Sequence, residues 1–206
     1  MKGAVVAAAV LGAIAAGQSR WASFEGIGLG QPVDDVMVMN GECWPGDAAG
    51  ELPPGMTVVA FAYTAFGYAL PHRHTPRDST SIRRALGTGT MCRARLSENA
   101  LAVVAAVDRR VVAVVVYFLG DSAAPIGVDS VRRRAYAAWG RPMHHAPTLD
   151  TWSGPRYRSY LLAPQLPSYA PPWARSVQLV LLDVAACTAF DRRVHRAGAS
   201  GEAAEC

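Results

Sequence analysis

Lysine is almost missing from this chain. Lys2 stands alone, and every other cationic side chain is arginine or histidine. With the abundant alanine, that bias reads as high-GC coding rather than as chemistry. A surplus of one charge is missing too: 20 basic residues face 16 acidic ones, for a formal net charge of +4. The arginine clusters (Arg83-Arg84, Arg109-Arg110, Arg132-Arg133-Arg134, Arg192-Arg193) are scattered among acids. A nucleic-acid surface would show a basic stripe with interleaved aromatics, so no nucleic-acid partner is expected. Long apolar runs are also lacking. Spanning a bilayer takes about 20 apolar residues. Beyond the N-terminus the longest run, Val111 to Leu119, is the size of a strand, so no transmembrane segment is expected in the mature chain.

Several motifs are absent as well. No Cys-x-x-Cys occurs, which removes the support for a thioredoxin-type redox site or a zinc knuckle. No Gly-x-Ser-x-Gly elbow occurs, and Trp152-Ser153-Gly154-Pro155 reads as a turn. Gly28-x-Gly30 lacks the third glycine and the long preceding strand of a dinucleotide site. Asp34 and Asp35 are neighbours on an expected helix and project apart. They suit the positive end of its dipole better than paired acid–base work. No catalytic residue and no cofactor are expected on these grounds.

What the chain does have begins at Met1. Lys2 precedes a short run of apolar and small residues, Gly3 to Ala16, and polar Gln18, Ser19 and Arg20 follow. A charged start, a short apolar core and a small-residue exit make a secretory signal peptide, with cleavage expected after Ala15-Ala16-Gly17 and, as the alternative, after Ala13-Ile14-Ala15. The expected organisation is a signal peptide over 1–17, one domain over 18–195 with halves at 22–118 and 119–190, and a polar, flexible tail over 196–206. The expected location is the periplasm or the medium. There, four cysteines (Cys43, Cys92, Cys187 and Cys206) are disulfide candidates with three alternative pairings that sequence leaves open.

The pattern along the chain is that of an α+β fold. Gln31-Pro32 opens a short helix carrying Val33, Val36 and Met37, and Asn40-Gly41 ends it. Residues 42 to 56 read as a loop and Thr57 to Tyr63 as a strand; Thr64 to Thr90 is mixed. Cys92 to Leu96, Leu101 to Val107 and Val111 to Phe118 form a meander, with a hairpin at Asp108-Arg109-Arg110. Val128 to Trp139 is a helix, with Val128, Val131, Ala135, Ala138 and Trp139 on one face and the three arginines largely off it. Gly140 and Pro142 stop it. Tyr157 to Leu162 and Ser176 to Val184 are strands. Met37 and Met39 are expected in the core at a helix end. Val33-Asp34-Asp35-Val36 echoes Val128-Asp129-Ser130-Val131, each followed by strands, which suggests a tandem helix-plus-hairpin repeat. The expected architecture is an antiparallel sheet with two or more helices packed on one face.

The stretch Gly26 to Val36, the turn Tyr136-Ala137-Ala138-Trp139-Gly140-Arg141-Pro142 and the strand start Trp152-Ser153-Gly154 resemble small exported bacterial proteins. Among these are the beta-lactamase-inhibitor-protein-like fold and the small outer-membrane-assembly lipoproteins. The resemblance implies a two-layer α+β fold that binds proteins. The chain lacks the lipidated cysteine of the assembly lipoproteins, and no functional residue carries over.

Two features point to chemistry. In Pro71-His72-Arg73-His74 the histidines are two apart, so an extended segment would turn both to one side. His144-His145, with Met143 beside them, would add ligands suited to zinc or copper. Five tryptophans (Trp21, Trp44, Trp139, Trp152 and Trp173) either plug the ends of a core or anchor a partner. The leading expectation is a non-enzymatic exported binding module whose partner is another exported or envelope protein. The alternative is a periplasmic metal-binding protein using His72, His74, His144 and His145. A small hydrolase is the weaker alternative.

Overall fold

A computed structural model describes residues 20–39, 41–45, 89–120, 126–166, 170, 172–186 and 189. The chain is α+β and dominated by strands: mostly antiparallel strands in one large sheet, with a few helices. A 3-10 turn at Arg20–Ala22 leads into β1 (Ser23–Phe24) and β2 (Ile27–Gly28), a small hairpin closed by Glu25 and Gly26, both at positive φ. Helix α1 is Val33–Val38, and Pro32 occupies the N-cap position immediately before it. Strands β3 (Glu42–Pro45), β4 (Gly89–Ser97), β5 (Ala100–Val107) and β6 (Arg110–Phe118) follow. Helix α2 is Val128–Trp139. Then come β7 (His144–Ala146), β8 (Leu149–Ser153), β9 (Tyr157–Leu162), the short helix α3 (Pro172–Arg175) and β10 (Val177–Asp183).

The eight long-range strands form one sheet in the order β3-β4-β5-β6-β10-β9-β8-β7, antiparallel at every pairing. The β-branched and apolar runs of β5, β6 and β10 occupy its centre. A strand reads as continuously apolar when both its faces are buried, and these three do. One face carries Val104, Val114 and Leu181 in one cross-strand row and Ala102, Val116 and Leu179 in the next. These side chains join a single core cluster with Phe24, Ile27, Val33 and Val36 and with Val131, Ala135 and Trp139 of α2. Both longer helices therefore pack on that first face. The second face carries Ala105, Ala113 and Leu182, then Val103, Val115, Val180 and Tyr160, all buried.

The ends of the elements follow local chemistry. Gly140 takes φ 81° and donates its N–H to the Tyr136 carbonyl at 2.8 Å, ending α2 where a side chain would be strained. Asp108 (φ 49°) and Arg109 (φ 60°) form the two-residue turn between β5 and β6; the positive pair matches the right-handed twist of a hairpin. The turn docks on the entry to α1. The Val33 N–H bonds the Arg109 carbonyl at 2.9 Å, and Gly30 and Gln31 exchange backbone bonds with Val111.

The structure departs from several sequence expectations. Residues 42–45 are a strand rather than loop, because Cys43 pairs directly with Cys92 in the β3–β4 register and is joined to it by a disulfide. Strands β7 and β8 were not legible, and Trp152-Ser153 ends β8 rather than starting a strand. Ala138 is exposed, whereas Arg132 turns inward. Met37 is exposed, while Met39 does pack against the core cluster. The expected leader over 1–17, the strand Thr57 to Tyr63, His72, His74, Cys187, Cys206 and the tail lie outside the described residues. No helix among the described residues is long and apolar enough to cross a membrane.

Candidate functional site

The densest polar cluster among the described contacts sits where α2 crosses the β7–β8 hairpin. Strand alternation turns Asp150 of β8 toward the helix, in the same cross-strand row as Leu161 and Leu179. Its side chain is 0% exposed. A bare carboxylate there would cost several kcal/mol, so it must be paired and hydrogen-bonded. Three donors meet it. Arg132 Nε lies 2.9 Å from Oδ2, the Tyr136 hydroxyl 3.2 Å from the same oxygen, and His145 Nδ1 2.5 Å from Oδ1. Arg132 and Tyr136 are four apart on α2, so one helix face presents both.

Arg132 does more than neutralise the carboxylate. Its Nη2 donates to the Ala146 carbonyl at 2.9 Å and to the Pro147 carbonyl at 2.6 Å. These belong to the turn between β7 and β8, so one guanidinium holds the helix, the strand and the hairpin tip together. Asp129 adds an exposed i,i+3 contact to Arg132 at 3.6 Å. Burial, and then the neighbouring Asp150 charge and hydrogen bond, push the Tyr136 hydroxyl above its ordinary pKa, with Arg132 opposing them.

Around this fixed centre the hairpin displays exposed groups. His145 keeps 59% of its side chain in solvent although its Nδ1 is engaged, so Nε2 is the ring nitrogen left for chemistry. Met143 is 74% exposed and its Sδ accepts the Ser153 N–H at 3.3 Å. His144, Pro147 and Thr148 are exposed as well.

The two histidines do not form a ligand pair. They are successive residues of a strand and project to opposite faces: His145 pairs with Asp150, and His144 with Thr151. No group of three or more His, Cys, Asp and Glu able to hold a metal occurs among the described residues. His145 and Asp150 resemble two thirds of a nucleophilic triad, but the hydroxyl in contact with both, that of Tyr136, sits on the Nδ1 and carboxylate side, and no contact among the described residues places a hydroxyl or thiol on His145 Nε2, where the nucleophile would stand.

The tryptophans brace the same region from behind. Trp139 and Trp152 are buried in an edge-to-face pair with centroids 5.0 Å apart. Trp139 donates to the Ser23 carbonyl at 2.8 Å, and Trp152 to the Gly140 carbonyl at 3.0 Å. Trp21 is half-buried against the core cluster. Sequence reasoning missed Asp150 and Arg132 altogether. The one available signal was a lone acid inside the strand pattern Leu149-Asp150-Thr151-Trp152. Compared with protein families, with curated proteins and with solved structures, the chain matches none.

Proposed function

We propose that the protein is an exported, non-enzymatic binding module, periplasmic or secreted, whose contact surface includes the β7–β8 hairpin. The observation that carries this reading is the use of a fully buried, triply bonded Asp150 to hold an exposed hairpin. A buried ion pair contributes little net stability compared with apolar packing. It does fix one geometry, and a surface that is rigid before contact loses less entropy on association. Met143, His144 and Thr148 on that rigid frame suit a protein partner, with the exposed thioether as the apolar anchor.

Three further features support the reading. The N-terminal sequence has the order of a secretory leader. The Cys43–Cys92 disulfide suits an oxidising compartment. Among the described residues the strand order runs β3 to β6 outward-in from one edge after α1 and β7 to β10 outward-in from the other after α2, with β6 and β10 side by side at the sheet centre. A tandem helix-plus-strands unit would account for the echo between Val33-Asp34-Asp35-Val36 and Val128-Asp129-Ser130-Val131.

A benzophenone-bearing residue placed at Thr148 or His144 and photolysed in envelope extracts of the producing cell tests the reading. A discrete cross-linked species that disappears with Met143→Glu, and whose chain has lost its first 17 residues, is expected. The absence of any cross-link at either position, or an uncleaved cytoplasmic chain, would sink it. The metal-binding reading retains one supporting feature, since a carboxylate on Nδ1 leaves Nε2 oriented as in metal-bound histidines. Stoichiometric zinc or copper bound by the purified chain and lost with His145→Ala would favour that reading instead.

A further inference from the structure

We infer that the His145–Asp150 pair is a latch for the outer strand β7, standing in the second half of the sheet where the Cys43–Cys92 disulfide stands in the first. Each edge of the sheet is then fastened at the same place by a different chemistry, and a thiol reductant opens one latch and not the other. This deepens the tandem reading given above and does not depend on the hairpin's binding role. At the sheet centre Val115 pairs with Val180, Val114 with Leu181 and Val116 with Leu179. A two-fold axis through the Val115–Val180 pair, normal to the sheet, exchanges β6 with β10. It puts Val114 in the place of Leu179, and Val116 in the place of Leu181. Outward from Val114 the cross-strand row runs through Val104 and Cys92 to Cys43. Outward from Leu179 it runs through Leu161 and Asp150 to His145. The two paths cross the same strands of each half, and they end on the disulfide and on the His–Asp pair. The inner member is 0% exposed in both, Cys92 in one and Asp150 in the other.

The backbone hydrogen bonds give the two positions the same geometry. Direct pairs in an antiparallel ladder alternate between hydrogen-bonded pairs, with Cα atoms about 5.5 Å apart, and closer pairs at about 4.5 Å without backbone bonds. Cys43 and Cys92 have their Cα atoms 4.1 Å apart, so theirs is the close kind. In the second half the Gly154 N–H donates to the Tyr157 carbonyl and the Ala163 N–H to the Thr148 carbonyl, each at 2.9 Å. Counted inward in twos from either end of the β8–β9 ladder, Asp150 and Leu161 are a hydrogen-bonded pair. The backbone N–H and carbonyl of Asp150 therefore face β9, and its pairing with His145 on the other side is of the close kind. The need for a latch is also the same. Strands β3 and β7 are the two edges of the sheet, four and three residues long. Strands so short, paired on one side among the described residues, gain little from their ladders alone.

Two measurements test the latch, and neither involves a partner, so the binding role of the hairpin stands or falls apart from them. In the first, a thiol pair replaces the ion pair, and Arg132→Met accompanies it so that no charge is left buried alone. Purified Arg132→Met/His145→Cys/Asp150→Cys is oxidised in a glutathione buffer and its unreduced peptides are mapped by mass spectrometry. It should give at least about five-fold more of the link between the introduced thiols than His144→Cys/Thr151→Cys, the adjacent hydrogen-bonded pair, whose Cβ atoms stand farther apart. Equal linkage in the two variants, or none in the first, would overturn the inference. The second measurement uses the native chain, so it holds even where the substituted chain does not fold. Amide exchange is followed with and without a thiol reductant. Protection of the Trp44 amide on β3 should fall at least about ten-fold on reduction, while that of Ala146 on β7 stays within about two-fold. An equal loss at both amides, or none at Trp44, would show that the two edges are not latched separately.

Discussion

Asp150 and His145 face each other across the β7–β8 ladder as a Cα pair, and the same carboxylate reaches back to Arg132 on α2. Two short strands and a helix thus share one buried charge. The arrangement predicts an asymmetry. Arg132→Met alone leaves Asp150 buried with its main counter-charge gone and should cost about 3–5 kcal/mol. Arg132→Met combined with Asp150→Leu removes both charges and should recover most of that loss. Urea unfolding of the two single variants and the double variant measures the coupling. If the double variant is no more stable than Arg132→Met, the pair is not the organising contact described here.

Tyr136 reports on the same carboxylate through pH. Its hydroxyl pKa is raised in the folded chain by burial and by Asp150. A raised folded value means that folding holds the proton more tightly than the unfolded chain does. The associated stability is complete below the ordinary tyrosine value of about 10 and is lost as pH rises from there through the raised folded value. Melting temperatures between pH 9 and 11 should therefore fall more steeply for the native chain than for Tyr136→Phe. Parallel curves would show that the phenol does not sense Asp150.

Much of the framework was legible because it is written in local signals. Gly140 and Pro142 end α2 in sequence as they do in space, and the β-branched runs of β5 and β6 flank Asp108-Arg109. The site was not legible, for a physical reason. Arg132 stands in a run of three arginines that composition treats alike, and only its rotation toward β8 distinguishes it from Arg133. Asp150 lies 18 positions further on, on a strand of five residues beside one of three, too short for alternation to stand out. His144 and His145 invited a shared ligand role because sequence shows adjacency, whereas the pleat sends them to opposite faces. Trp139 and Trp152 did settle as core, each with its indole N–H satisfied by a backbone carbonyl.

The disulfide between Cys43 and Cys92 spans a sequence separation of 49. In the chain-entropy account, closing a loop of that size removes enough unfolded-state freedom to stabilise the fold by about 4 kcal/mol. Cys43→Ser/Cys92→Ser should lower the unfolding free energy by about that amount, with little change in the contacts of α2. Denaturant midpoints for the oxidised, reduced and doubly substituted chains test this. A reduced chain as stable as the oxidised one would show that β3 is held by other means.

The turn between β5 and β6 sets two effects against each other at one residue. Arg109 holds φ at 60°, a left-handed conformation that a residue with a Cβ adopts at a cost of roughly 1 kcal/mol. In return its guanidinium reaches both oxygens of Asp34, at 2.7 and 2.6 Å. Those side chains are 73% and 58% exposed, and an ion pair so open to water contributes between 0 and about 1 kcal/mol. The backbone bond from Val33 to the Arg109 carbonyl survives any substitution that keeps the turn. Arg109→Gly relieves the strain and forfeits only the exposed pair, so it should leave stability unchanged or raise it by up to about 1 kcal/mol. Arg109→Ala keeps the strain and loses the pair, so it should be the less stable variant. Thermal melts at low salt and at 1 M salt separate the two effects: salt should narrow the gap between the native chain and Arg109→Ala, while the advantage of glycine over alanine persists. If glycine and alanine prove equivalent, the turn does not impose the left-handed conformation in solution.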